Sequence, residues 1–445
     1  MDSFLELAIP LETNTLTLFI GTGFSKYLTN NSAPSWIELT IALIEGIDSG
    51  GVLSGKLLNI NPDGTRSAKF ELSVVAQILE LEYRKRGKNI REEAAAIINR
   101  LVNSRTVNTE KLTQLQAFFK DYEQINIVTT NYDTLISDLV LEGAARVFVE
   151  GSTIPKINPG RNVFHLHGYI SKPDSMVLTI GDYYKFQHED HYLSRKFFTL
   201  LQETTVLILG YSLTDFNLNS ILNEAQGARA VSLRKSDIYL VSRQTIDSII
   251  KDFYKYTYGV RVLDPFEINN VFERLAAAAP EAKGLIAQTE TVTAVLDGDK
   301  RWSDKYLKLN SSLNLILLRA SVLGIAADDA RFQDMLVDIL TRKKGFSRED
   351  NAWDQYEGLA EWLVEIGSLI NVGTSRFADK YLELVNYSFT MMSKELDIGY
   401  SWAAFSVWKS RFQQLRIETQ QFLQTNVDAR DFPSRSCVDE VLSAS

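Results

Sequence analysis

Two polar side chains offer the sharpest chemistry in this 445-residue chain. Asn131 closes the run Ile125-Asn126-Ile127-Val128-Thr129-Thr130 and is followed by Tyr132 and Asp133. An asparagine amide donates and accepts at once, so it can grip a ribose hydroxyl or fix a water. His167 closes a second run, Val163-Phe164-His165-Leu166, and is followed by Gly168. Imidazole changes charge near neutral pH, which suits a general base. In an extended strand Val163, His165 and His167 share one face. His165, one pleat back, reads as a buried supporting histidine.

Two glycine loops complete the set. Leu16–Ile20 runs into Gly21-Thr22-Gly23-Phe24-Ser25-Lys26. Glycines let a backbone turn sharply and approach a phosphate, and a following helix aims its N-terminal amides at the anion. Lys26 stands where the dinucleotide fingerprint has its third glycine, and a ligand-free turn explains the loop equally well. Val206–Leu209 runs into Gly210-Tyr211-Ser212-Leu213-Thr214-Asp215. Ser212 and Asp215 fit a capping box, and the same geometry offers amides and a hydroxyl to a dinucleotide. Asp133 reads either as a helix cap or as a ligand contact. His188-Glu189-Asp190-His191 lacks the spacing of a zinc-binding helix and reads as solvated surface. The single cysteine, Cys437, excludes an intramolecular disulfide, a cysteine-based zinc ribbon and an iron–sulfur cluster. No metal is expected.

The elements that must position these residues are legible as two grammars. Strand candidates fall at 16–20, 125–130, 145–150, 162–167, 205–210, 237–242 and 260–264, mostly Val/Ile/Leu-rich without polar alternation. Amphipathic stretches such as Thr134–Leu141 and Leu213–Glu224 lie between them. That alternation predicts an α/β, Rossmann-like doubly wound parallel sheet over residues 1–285. In such a sheet, ligands bind outside the carboxyl ends of the strands, where all four signals terminate. A mostly helical insertion over about 36–120, interrupted near 59–64, is placed to cap that edge or simply to be solvated. From Pro280 to Pro433 there is no proline, and 290–432 reads as an all-α domain with breaks near 299, 326, 345, 373 and 399. Trp353, Trp362, Trp402 and Trp408 are expected in its core. Residues 433–445 read as a flexible tail.

A net charge of −9 argues against direct nucleic-acid binding. The N-terminus lacks a signal-peptide pattern, and no apolar run approaches the roughly 20 residues of a membrane helix. A soluble cytoplasmic protein is expected, with no membrane partner.

Taken in order, the four signals resemble the sirtuin superfamily. Gly21-Thr22-Gly23-Phe24-Ser25 is similar to its Gly-Ala-Gly-x-Ser loop, and Thr129-Thr130-Asn131-Tyr132-Asp133 to its Thr-Gln-Asn-x-Asp motif. His167-Gly168 is similar to its catalytic His-Gly, and Gly210-Tyr211-Ser212 to its late Gly-Thr/Tyr-Ser motif. Residues 169–209 hold no cysteine, so the zinc ribbon of deacylase sirtuins is absent. With the appended helical half, this resembles the prokaryotic anti-phage, defence-associated branch. The resemblance implies an NAD+ glycohydrolase, an NADase releasing nicotinamide and ADP-ribose in abortive infection. It implies catalytic Asn131 and His167, and NAD+ contacts from Gly21, Thr22, Gly23, Ser25, Thr130, Asp133, Gly210, Ser212 and Asp215. It further implies a homo-oligomer held inactive until a trigger arrives, with a phage protein, helicase-type ATPase or short Argonaute as activator or partner. The alternatives are an NAD-dependent protein deacylase, a non-catalytic NAD or ADP-ribose sensor, and cyclisation of ADP-ribose instead of hydrolysis.

Overall fold

The computed structural model describes residues 3–443 except 104, 154–159, 189–191, 214–215, 229–237, 288–289, 310–311, 350–351 and 396–399. Seven strands form one parallel sheet: β1 (Leu16–Ile20), β4 (Asn126–Thr129), β5 (Arg146–Phe148), β6 (Asn162–His165), β7 (Thr205–Leu209), β8 (Ile238–Val241) and β9 (Val260–Leu263). The remaining two, β2 (Leu58–Ile60) and β3 (Arg66–Ala68), make an antiparallel hairpin. Spatial order across the large sheet is β5-β6-β4-β1-β7-β8-β9, so the winding direction reverses between β1 and β7.

Each expected sheet strand is present, for the reason the sequence offers. On β1, Leu16, Leu18 and Ile20 bury into a core on one face, shared with Ile127, Val163, Leu207 and Leu209. Phe19 enters the core on the other face with Val128, Phe164, Val206, Ile208 and Leu240. Successive side chains serve opposite faces, and both faces are covered, so the runs are apolar throughout.

Register fixes the edge where function can sit. Ile20 pairs with Thr129 on one side and Leu209 on the other, and Thr129 pairs with His165. Four strands therefore end in one row, and the residues that follow them emerge side by side.

The insertion between β1 and β4 folds as helices Trp36–Glu45, Val52–Leu57, Leu72–Lys85, Ile90–Leu101 and Thr109–Lys120, with the β2–β3 hairpin at the expected interruption. It has its own core, which also takes in Ile170, Met176 and Leu178 from the loop after β6. Arg91 fastens that loop and the helix Ile180–His188 after it: it contacts Glu80 at 2.7 Å, both oxygens of Asp182 at 2.6–2.7 Å, and the Met176 carbonyl at 3.1 Å.

Chain contacts divide the molecule at Pro280, inside helix Ile268–Ala287. The C-terminal unit is helical, with a core of Phe332, Leu340, Trp362, Tyr381, Phe389 and Trp408 among others. Two expectations fail here. Trp402 is 52 % exposed, because it occupies the first position of helix Trp402–Arg411 while Ala404, Phe405 and Trp408 form the buried face. The tail expected beyond 432 is instead helix Arg435–Leu442, which buries Cys437, Val438 and Val441. The side chain of Trp353 and the break near 399 lie outside the described residues. Among the described residues no helix is long and apolar enough to cross a membrane.

The two tryptophans separate cleanly by stability. Trp408 is fully buried, donates to Ser388 Oγ at 3.0 Å, and meets Phe389 edge-on at 5.0 Å. Trp408→Ala is expected to cost about 3–5 kcal/mol in urea denaturation of the helical unit. Trp402→Ala should stay within about 0.5 kcal/mol.

Candidate active site

A cavity of about 630 Å³ opens at the carboxyl ends of the strands, and its wall is assembled from their terminal loops. Thr22 and Gly23 follow β1, Thr130, Asn131 and Asp133 follow β4, His167 follows β6, Gly210 and Ser212 follow β7, and Arg243 follows β8. Trp36, Leu39 and Ile98 come from the insertion, which thus supplies part of the enclosure.

Backbone packing at the point of reversal explains the glycines. The Gly21 amide donates to the Leu209 carbonyl at 2.9 Å, and the Gly23 amide to the Gly210 carbonyl at 2.7 Å. A Cβ on Gly21 would lie 2.6 Å from the Gly210 oxygen, and one on Gly210 would lie 2.2 Å from the Phe24 nitrogen. Gly210 also has φ +64°, which disfavours any side chain. The two loops touch, and neither tolerates a methyl group.

Asn131 is held from three directions. Its backbone amide donates to Thr129 Oγ1 at 3.0 Å, and Thr129 Oγ1 donates to the Ile20 carbonyl at 2.7 Å. Its side-chain Nδ2 donates to Ser25 Oγ at 2.9 Å, and Ser25 Oγ donates onward to Asp133 Oδ2 at 2.7 Å. Among the described residues Asn131 Oδ1 receives only a long 3.4 Å contact from Thr22 Oγ1, leaving acceptor capacity at the cavity wall. Asp133 Oδ1 accepts from the Leu135 amide at 3.1 Å, so the residue caps the following helical turn as well. Burial pushes the Asp133 carboxyl above the usual carboxylate range, against the opposing pull of the Ser25 hydroxyl and the Leu135 amide.

The third hold is His165. Its Nδ1 lies 2.9 Å from the Asn131 carbonyl. Burial lowers its pKa to about 4, so the ring is neutral at physiological pH and Nδ1–H is the donor. His165 does not line the cavity; it stands behind Asn131. His167 does line it, with its ring edge-on to Phe186 at 5.4 Å and tilted against Tyr183 at 5.7 Å.

The structure sorts the expected site residues into two groups. Thr22, Gly23, Thr130, Asn131, Asp133, His167, Gly210 and Ser212 reach the wall. Gly21 and Ser25 do not, and Ser25 is 1 % exposed with its hydroxyl occupied by Asn131 and Asp133. Its hydroxyl orients the Asn131 amide. Asp215 lies outside the described residues, as does most of the His188–His191 segment. Among the described residues no cluster of His, Cys, Asp or Glu could hold a metal. Sequence reasoning missed Trp36, which stacks on Tyr183 at 5.7 Å beside the cavity, and Arg243 at its other end.

The depressed His165 pKa has a consequence for stability. Between pH 6.5 and 4 the unfolded chain takes up a proton on this histidine that the native chain refuses. The contribution is therefore fully present above pH 6.5 and is lost as pH falls toward 4. The shift corresponds to about 3 kcal/mol. In His165→Asn, whose amide can keep the bond to the Asn131 carbonyl, denaturant midpoints should fall less steeply across this window than in the parent.

Residues 125–263, which contain Asn131, His167, Gly210 and Arg243, match the family model of the SIR2-like domain. Defense-associated sirtuin 2 of Bacillus subtilis is 24 % identical over 144 residues, 31 % of this chain and 14 % of that protein's length. This chain thus aligns with a small part of a much longer relative. The parallel sheet, the loops at its reversal point and the matched segment identify a SIR2-like domain in this chain, similar over part of its length to a defence-associated sirtuin.

Proposed function

We propose that the SIR2-like domain hydrolyses NAD+ to nicotinamide and ADP-ribose. The observation that carries this reading is the Asn131 amide, clamped by Ser25 and Asp133 at the wall of a cavity that His167 also lines. The nicotinamide of NAD+ is cationic before it leaves, so departure needs no strong acid. What the site must supply is orientation, a place for the electron-poor ribose, and a water.

The residues divide that work. Asn131 Oδ1 has the spare acceptor capacity to hold a ribose hydroxyl or the attacking water, and the clamp keeps it from rotating away. His167, packed between Tyr183 and Phe186, is placed to accept a proton from the ribose or the water. Gly23 and Gly210 bring bare backbone to the point of reversal, where a diphosphate can approach closely. The absence of cysteine over 169–209 removes the zinc module that deacylases use, which favours hydrolysis over deacylation.

An NADase acting freely would exhaust its host. The proposal therefore includes an inactive resting state, released in anti-phage defence by a protein trigger, with the helical unit serving in self-association or sensing.

Purified chain, incubated with NAD+ alone and with candidate phage proteins, should release nicotinamide in at least one condition. Asn131→Ala and His167→Ala should each lower kcat by about 100-fold or more while leaving the thermal melt in place. Full NAD+ cleavage by both variants would sink the assignment.

A further inference from the structure

The loop after β8 brings a cation to the cavity, and among the described residues no carboxylate is paired with it. Ser242 is pinned by backbone bonds on both sides: its amide donates to the Leu263 carbonyl at 3.0 Å, and its carbonyl accepts from the Phe266 amide at 2.9 Å. Its hydroxyl folds the turn by donating to the Gln244 carbonyl at 2.7 Å. Arg243 stands between these fixed points, lines the cavity, and is exposed.

Two carboxylates of the neighbouring turns, Asp247 and Asp264, are already committed. Asp247 caps helix Ser248–Tyr258 by accepting from the Ile249 amide at 2.8 Å. Asp264 takes Lys251 at 2.7 Å and the Ile246 amide at 2.5 Å, and its side chain is 5 % exposed. Among the described residues neither is paired with Arg243. Among the described residues the cavity wall holds one acid, Asp133, at the β4 end.

Position then selects the ligand group. β8 lies three strands from β4, with β1 and β7 between them, which is roughly 14 Å at ordinary strand spacing. A dinucleotide with its reacting ribose at Asn131 and its diphosphate at the reversal point places its adenosine ribose beside Arg243. Sites selecting an unphosphorylated ribose set a carboxylate against the 2′-hydroxyl, whereas an arginine accommodates a 2′-phosphate. Among the described residues the arginine stands at that end of the wall and no carboxylate does. Its planar fork suits bidentate contact with phosphate.

Resting on the dinucleotide reading of the cavity, we infer that Arg243 is a specificity-determining residue that binds a 2′-phosphate on the adenosine ribose. The substrate class thus includes NADP+ and favours it over NAD+.

Binding to full-length Asn131→Ala protein, which should not consume its ligands, tests this by calorimetry with ADP-ribose and with its 2′-phosphorylated form. The phosphorylated ligand should bind about tenfold tighter or better, the worth of one charge-assisted pair. Adding Arg243→Ala should collapse the ratio of the two affinities to about one. A ratio near one in both proteins overturns the inference. So does an equal weakening of both ligands by Arg243→Ala, which would place the guanidinium on the diphosphate. If neither ligand binds to protein with a parental melt, the dinucleotide reading itself falls, and this inference with it.

Discussion

The contact on which the rest depends is the meeting of two backbones at the reversal of the sheet. Gly21 and Gly23 after β1 lie directly against Leu209 and Gly210 at the end of β7, joined by amide–carbonyl bonds of 2.9 and 2.7 Å. Hydrogen atoms in place of side chains are what permit this approach. Because the loops touch, helix Thr22–Leu28 starts at a fixed angle, and Ser25 on its first turn reaches Asn131 and Asp133 across β1 and β4. A methyl group at Gly210 would force the two loops apart and move Ser25 with them. The catalytic geometry proposed for Asn131 is therefore a consequence of glycine packing some distance from it.

Behind that contact lies a chain of buried polar groups that answer one another. Ser25 uses its single proton on Asp133 and its lone pair on Asn131, while His165 gives its one proton to the Asn131 carbonyl. Unpaired, these groups would each cost free energy in the dry edge of the sheet. Paired, they fix the asparagine by backbone and side chain together. The opposite pKa displacements of Asp133 and His165 share one cause, since burial disfavours the charged form of either. At the Asn131 end of the cavity, burial thus works against charge on both supporting groups.

What the sequence made legible follows from the range of the interactions involved. Strand cores such as Val206–Leu209 declare themselves because both faces are buried, so no polar residue interrupts them. The placement of Asn131 and His167 at one edge follows from strand ends alone, and the register of Ile20, Thr129 and His165 produces it. Ser25 was opaque for a physical reason: its partners lie 106 and 108 positions away, and a serine in a glycine loop looks locally like a phosphate contact. Trp36 and Arg243 were missed because their meaning comes from a cavity formed by distant segments, not from their own neighbours. The terminal helix did carry a local signal, with Cys437, Val438 and Val441 on one helical stripe, but Pro433 and the serines around it masked the periodicity.

The insertion ties these strands of argument together. Its helices would have little reason to lie over the sheet edge on propensity alone. Arg91 gives them one, since its guanidinium joins Glu80 of the insertion to Asp182 and the Met176 carbonyl of the loop after His167. With Arg91 and Asp182 both mostly buried, removal of either would strand a charge, so the insertion and that loop move as one body or not at all. Tyr183, adjacent to Asp182, is the residue that both stacks on Trp36 and meets the His167 ring. The position of the proposed base is consequently coupled to the seating of the insertion. Any event that lifts this lobe would disturb His167 before it disturbed Asn131, whose supports all come from the sheet and the first glycine loop.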